Sequence, residues 1–514
     1  MKHLKSSSSP GLDGITAFHL KAALDTNLMT NLCTMFNICI VYGVIPASFT
    51  QGLLIPILKK NTLDPSIPNN YRPITISNTF SKICELLILN ETSCYKFSDS
   101  QFGFIAGRST GMATALAHDV FSYCNANGST VYSCSLDAEG AFDAIPHAIL
   151  FNKAIGVLPD YCWRMLLFWY KRLNVHVKWN GHLSDPIAVL KGTRQGGLSS
   201  PFLFNLFYKD LIDDLNSSTM GISINNKHLN VICYADDILL VSLTVTGLQK
   251  LINVTSNNVE SNGLRFNPSK SQCMVVGKQC LPFPEWHINS TCLKIYKSIQ
   301  YLGTTLSNNN NRLHVDSRIK SCRRAFYSLQ GAGLCTKGIT PFTKAYLWNS
   351  AIRPILLYGN NCIHLNKSNT NELNKIQSSL IKAALNLPKT CKSSPLLNAL
   401  QISKISVSVD LSVLDLVVNM FNNSQCRNFY YNIMSRYVSG NFQGNKNIIY
   451  RACDVCERNN LSFLQFIYSP DYRRKNRKFI YSFPKQDGVV DSIRMELSNT
   501  VPNFNIVRLL LSAF

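Results

Sequence analysis

Acidic residues are scarce in this chain, so the places where they gather stand out: 29 Asp and Glu face 51 Lys and Arg. Asp236 and Asp237 stand side by side in VICYADDILLVS, where two apolar half-strands meet at a polar tip, the pattern of a hairpin. Asp137 ends a second apolar strand, SCSLD. Adjacent carboxylates repel, and seating them beside apolar strands is costly unless a cation neutralises them. If both elements pair in one sheet, three carboxylates converge into an oxygen-only set suited to hard divalent cations, in practice Mg²⁺. Two such ions, about 3.5–4 Å apart, serve an in-line displacement by steadying the attacking and leaving oxygens. Taken alone, an Asp-Asp pair is also an ordinary turn.

The elements that must position these residues are legible around them. VYSCSLDAEGAF reads as a strand running into a helix start, and GTRQGGLSSPFLFNLFYKDLIDDL as a Gly-rich loop opening an amphipathic helix. Upstream, a Ser/Pro/Gly turn segment precedes helix through about Tyr42, GLLIPILKK is an apolar strand ending in Lys59 and Lys60, and Ser77 to Leu89 has helical spacing. QFGFIAGRS is a Gly-punctuated turn. Beyond about residue 306 the pattern turns to helices with basic faces, with Asn308 to Asn311 marking the change. A chain of 514 residues with 46% hydrophobic residues can bury sizeable cores, which excludes disorder throughout. A net charge of +22, spread along the chain, predicts a polyanionic partner, nucleic acid ahead of a membrane surface. The 18 cysteines are scattered within apolar runs and the N-terminus is polar, so the chain is expected in the nucleus or cytoplasm and not secreted. Apolar stretches such as LCTMFNICIVYGVI are too short and interrupted to span a bilayer.

Eight blocks stand in order: SSSSPGLDGI, LIPILKKN with YRPITISNTFSKICE, QFGFIAGRST, LDAEGAFD, GTRQGGLSSPFLFNLF, YADDILL, GLRFNPSKSQCM and YLGTTL. Together they resemble the reverse transcriptase of a non-LTR (LINE-type) retrotransposon, strongly across residues 10–310 and weakly to 400. The resemblance implies that Asp137 and Asp236 are the shared metal ligands, that Asp237 completes the acidic tip, and that the Ala138 carbonyl reaches the second ion. Phe142 matches a steric gate that packs under the sugar and excludes a 2′-hydroxyl; its plain alternative is a core aromatic at a helix start. Asp143 is expected to make a structural helix hydrogen bond. Gly192, Gln195 and Gly196 match the loop under the incoming nucleotide and template base. Arg72 matches the residue that grips the triphosphate, a bidentate task suited to arginine. Lys59 and Lys60 are candidates for the same task. Lys270 matches a lysine near the leaving pyrophosphate, a candidate general acid. Tyr234 is expected near the primer terminus beside the small Ala235, and Tyr301, Leu302 and Gly303 resemble the primer grip.

The implied fold is α+β: a right-hand polymerase with fingers, a palm of antiparallel sheet and helices, and a helical thumb. The expected division is an N-terminal fingers extension over 1–50, fingers and palm over 51–306, a thumb over 307–400, and a region of unknown role over 401–514. Arg318, Lys320, Arg323 and Arg324 fit a thumb helix tracking a duplex backbone, although their spacing leaves part of the charge solvated. The implied function is RNA-directed DNA synthesis with two Mg²⁺ ions, taking an RNA template, a DNA primer or RNA–DNA hybrid, and deoxynucleotides. A non-catalytic nucleic-acid-binding relic, or an intron- or telomerase-type reverse transcriptase, is the alternative. Because the resemblance begins with the first polymerase block, a nicking endonuclease is expected from a separate chain or a missing N-terminal domain. Cys453 and Cys456 form a CxxC with no later Cys or His and only Cys426 nearby upstream, so no zinc is expected. The cluster YRRKNRK reads as a nucleic-acid contact, an import signal or a solvated loop.

Overall fold

The computed structural model describes residues 4, 8–24, 27–60, 63–224, 227–278, 284–308, 311–438 and 447–480. Its centre is a five-stranded sheet in the order Lys294–Ile295, Gln272–Val276, Val131–Leu136, Asp237–Ser242, Val231–Tyr234. The middle strands are antiparallel, with Leu136 opposite Ile238 and Asp237 opposite Tyr234. Both faces are covered, and the period-2 alternation of a strand sorts its side chains between two cores. Ile232, Leu239 and Val241 point into one core with Met112 and Leu116 of helix Thr110–Ala126. Cys233, Ile238 and Leu240 point into the other with Phe204 of helix Ser200–Ser217 and Leu248 of helix Val245–Ser261. This is the palm that the sequence predicts.

A second sheet carries the fingers. Gln51–Leu58 pairs antiparallel with Tyr71–Ser77 and parallel with Asn174–Trp179. The helix expected from Ser77 runs Thr79–Glu91, and the N-terminal helix is two, Ala17–Ala22 and Leu28–Tyr42. Among the described residues no single helix is long and apolar enough to cross a membrane.

After the hairpin Ser298–Tyr301/Thr304–Ser307 the elements among the described residues are helices, opening with Arg312–Gly331. That helix buries Val315, Ile319, Cys322, Phe326 and Leu329, a spacing of three and four that turns Lys320, Arg323 and Arg324 outward. Arg318 is half-buried, with its guanidinium over the Tyr358 ring. Helices Ile405–Phe421 and Ile448–Arg458 continue the same apolar core that backs the palm. One correction falls here. YRRKNRK is not a loop but part of helix Pro470–Ile480, with Arg477 paired to Asp415 at 2.6 Å and Arg473 donating to the Phe466 carbonyl at 2.9 Å. Cys453 and Cys456 lie on the buried face of their helix, and burial pushes the Cys456 thiol up to about 12. Of Asn308 to Asn311, Asn309 and Asn310 lie outside the described residues, as do 439–446 and 481–514 of the C-terminal region.

Candidate active site

The acidic tip is a tight hairpin in which Ala235 and Asp236 link the paired residues Tyr234 and Asp237. Ala235 adopts φ +55°, a left-handed conformation that costs a side-chain-bearing residue roughly 1–2 kcal/mol. The buried Gln101 holds it there. Its Oε1 accepts from the Ala235 amide and the Gly103 amide, both at 2.8 Å. Around it the chain forms a short bridge, with Phe102 N donating to Cys233 O at 2.7 Å and Cys233 N to Ser100 O at 2.8 Å. A side chain on Gly103 would meet the Ala235 amide at 2.4 Å, so only glycine fits.

Extending the register by one residue from Leu136–Ile238 sets Asp137 beside Asp237, so the expected convergence occurs. Asp137 is fixed by its own backbone. Its carbonyl accepts from Asn267 N at 2.8 Å, and Glu139 N donates to Arg265 O at 2.9 Å. That ladder leaves the Ala138 carbonyl out. The electrostatics show three carboxyls in one another's field. Burial raises Asp236, and nearby Asp137 adds to the effect. Asp237 is pushed up to about 6, by loss of hydration first and then by Asp236 and Asp137. One cation stands near, Lys270, whose Nζ lies 3.6 Å from Asp137 Oδ2 in an exposed pair. Three neighbouring oxygen donors fit hard divalent cations, which would favour the charged forms of Asp236 and Asp237. Their oxygens are not drawn to single-ion spacing. Among the described residues, the trio with ligand atoms all within 4.8 Å is Glu285, His287 and Cys292, on a different hairpin.

Asp137 and Asp236 line a cleft of about 530 Å³ together with Ala138, Lys270, Lys59, Arg72, Phe142, Gln195 and Gly196, and Asp237 stands beside Asp137 outside that lining. Lys59 lines the cleft and Lys60 does not. The Lys59 ammonium donates to the Asn69 carbonyl at 2.8 Å, and Arg72 is exposed on the neighbouring strand. The loop bearing Gln195 is bound to that strand by Thr75 N donating to Gln195 O at 2.7 Å. Gly196, at φ +114°, comes so close that a Cβ would lie 2.6 Å from the Thr75 carbonyl. Phe142 is half-buried. Its ring stacks on Phe204 at 4.0 Å, and Phe104 meets its edge at 5.8 Å. Such contacts fix a ring with about 0.5–1.5 kcal/mol each.

Asp143 N donates to Gly140 O at 2.8 Å at the start of its short helix. Its carboxylate accepts from the Gln195 amide at 2.8 and 2.9 Å and so aims that side chain. One placement differs from expectation, that of Tyr301. It is fully buried, and its hydroxyl donates to the Ile232 carbonyl at 2.9 Å, because alternation along its strand turns it inward with Ile299. Leu302 and Gly303 form the turn beyond it, at φ +48° and +71°, and the Tyr358 hydroxyl donates to Leu302 O at 2.7 Å. Tyr234 is half-buried beside Phe104.

Sequence reasoning missed Gln101 and one more pair. Arg194 and Glu85, both fully buried, form an ion pair at 2.6 Å, with Arg194 over the Trp169 ring. Glu85 also accepts from Ser199 Oγ at 2.7 Å and Leu198 N at 3.1 Å. The pair ties helix Thr79–Glu91 to the loop that carries Gln195 and Gly196.

Residues 57–306 match the family described as reverse transcriptase (RNA-dependent DNA polymerase). The chain is 27% identical over 277 residues to the retrovirus-related Pol polyprotein from type-2 retrotransposable element R2DM of Drosophila melanogaster, covering 53% of this chain and 25% of that protein. It is 25% identical over 413 residues to the probable RNA-directed DNA polymerase from transposon BS of the same organism, covering 76% of this chain and 44% of that protein. The chain therefore spans a quarter to under half the length of these relatives. A telomerase from Candida tropicalis overlays loosely, with TM-score 0.40 and 10% identity over 94% of this chain and 70% of that one.

Proposed function

We propose that this chain, which belongs to the reverse transcriptase family through residues 57–306, is the RNA-directed DNA polymerase of a non-LTR retrotransposon. The observation that carries the reading is the meeting of Asp137 and Asp236 in a cleft that also carries Lys59, Arg72 and Phe142, with Asp237 beside Asp137 in the sheet register. Asp137, Asp236, Asp237 and the Ala138 carbonyl would hold two Mg²⁺ ions. Bound there, the ions would favour ionisation of a primer 3′-hydroxyl and offset charge on the leaving pyrophosphate.

The protein's own groups do the rest. Arg72 and Lys59 offer a fork and a point charge to the triphosphate. Gln195, aimed by Asp143, and Gly196 lie under the incoming base pair. Phe142, held by its stack on Phe204, fills the space a 2′-hydroxyl would need. Lys270, its ammonium 3.6 Å from Asp137 Oδ2, is placed to give a proton to the leaving group. Tyr234, Leu302 and Gly303 border the primer end. The partners are an RNA template, a DNA primer and deoxynucleotides, and the nucleus or cytoplasm is the compartment.

The test is extension of oligo(dT) on poly(rA) with dTTP. Extension that requires Mg²⁺ and stops with EDTA is the expected result. Retained, salt-sensitive RNA binding without any extension would replace this reading with that of a non-catalytic relic.

A further inference from the structure

The helical half of the chain has a second cleft, of about 660 Å³, between helices Lys367–Ala384 and Ser393–Ala399. Its lining includes Lys375, Lys382, Lys389 and Lys404 together with serines such as Ser379 and Ser393, and it contains no carboxylate and no aromatic ring. We propose that this groove binds the phosphodiester backbone of a single nucleic-acid strand, as a site separate from the catalytic cleft. The proposal goes beyond polymerisation and shares with it only the presence of a nucleic-acid partner.

The groove is built rather than incidental. Lys382 is buried, and its ammonium donates to the Lys389 carbonyl at 3.1 Å, fixing the loop between the two helices. Asn374 Oδ1 accepts from Ile405 N at 2.9 Å, which fixes the end that carries Lys404. Lys375, Lys389 and Lys404 are exposed, and no ion pair among the described residues uses them. The neighbouring acid, Glu372, is already paired with Arg312. Three lysines thus present uncompensated charge along a cleft.

The spacing favours a chain over a small anion. The groove wall runs from Lys375 to the buried Lys382, two helical turns or about 10 Å along the axis, longer than one phosphate group. Ser378 and Ser379 between them donate their hydroxyls to the Asn374 and Ile376 carbonyls, both at 3.0 Å, so the charge for a phosphate comes from the lysines. With no aromatic ring in the lining, there is no stacking platform, so recognition would be of backbone and not of sequence. None of these residues lines the catalytic cleft.

The test uses the full chain, a labelled 20-nucleotide single-stranded RNA, the matching DNA, and a poly-glutamate peptide. The triple variant Lys375→Gln, Lys389→Gln, Lys404→Gln is expected to bind RNA and DNA at least about tenfold more weakly. Its log–log salt slope should fall by about two, at about 0.7 per single-strand phosphate contact. Lysine-to-arginine replacement at the same positions should restore binding, which a merely structural role would not predict. Addition of one nucleotide to a short template–primer should be unchanged. Unchanged affinity and slope would overturn the proposal, as would poly-glutamate displacing RNA from the wild type while losing its own binding to the variant, which would mark an acidic protein as the occupant. Asp236→Asn should keep groove binding and lose extension, so failure of the groove and failure of the polymerase reading separate.

Discussion

At the scale of the residue, function rests on groups whose positions are over-determined by neighbours. Ala235 keeps an unfavourable φ because Gln101 bonds its amide, and Phe142 keeps its angle because Phe204 stacks beneath it. If Phe142 reads the sugar by shape, Phe142→Val should admit a ribonucleotide that the wild type excludes. The expected outcome is a drop of at least about tenfold in preference for dTTP over UTP, with dTTP addition itself largely kept, since one steric contact is worth roughly 1–3 kcal/mol. Competition between the two triphosphates in single-nucleotide extension measures it; unchanged preference would make Phe142 a core aromatic. The acidic trio was legible in the sequence because charge beside apolar strands is conspicuous and the order of blocks is specific. Gln101, Glu85 and Arg194 were not, because a buried polar side chain leaves no periodic trace; it is defined by partners more than a hundred residues away, such as Arg194 on Glu85. Tyr301 was misjudged for the opposite reason. Its block pointed to a primer contact, while its parity with Ile299 on the strand already placed it inside.

At the scale of the element, the strands and helices around the cleft follow from hydrophobic periodicity, and the joints between them do not. One joint is His314, on the first turn of helix Arg312–Gly331. It is buried, with Nδ1 accepting from Thr305 N at 3.3 Å and Nε2–H donating to the Tyr358 carbonyl at 3.0 Å. Both ring nitrogens are used by the neutral imidazole, and burial first, then nearby Arg318 and His118, lower its pKa from 6.5 to about 4. The sign follows. The unfolded chain takes up this proton near pH 6.5 while the folded chain resists it, so stability is full above 6.5 and is lost as pH falls toward 4. The loss approaches about 3 kcal/mol. Urea midpoints at pH 7.5 and 4.5 should differ in the wild type and differ less in His314→Gln. An equal pH dependence in both would remove His314 as the cause.

At the scale of the whole molecule, the helices beyond residue 400 are part of the support for the palm. Asp119, buried on helix Thr110–Ala126, accepts from the Tyr430 hydroxyl at 2.8 Å and from Ile448 N at 3.0 Å. Asp99 holds Arg108 at 2.5 Å and accepts from Ser424 N at 3.2 Å. Leu414, Val417 and Met420 share the apolar core with Met112 and Leu116. A chain ending at residue 400 should therefore expose that core and accumulate as insoluble protein. Tyr430→Phe should stay folded but lose about 1.5–3 kcal/mol, the worth of a hydrogen bond to a buried charge. A soluble, cooperatively unfolding 1–400 fragment would contradict this. Composition alone could not reveal the arrangement, because the C-terminal helices look like any amphipathic helices until their partner surface is known. The positive charge, by contrast, was legible from the outset, and the lysine groove beyond the cleft is one place where it gathers.

The central claim is that the three converging carboxylates drive nucleotide addition. The most direct measurement is single-turnover addition of dTTP to a poly(rA)/oligo(dT) end with Mg²⁺, comparing wild type with Asp236→Asn at matched folded concentration and matched RNA binding. The account predicts addition by the wild type and a loss of about 10³-fold or more in the variant. Equal rates in the two proteins would contradict it.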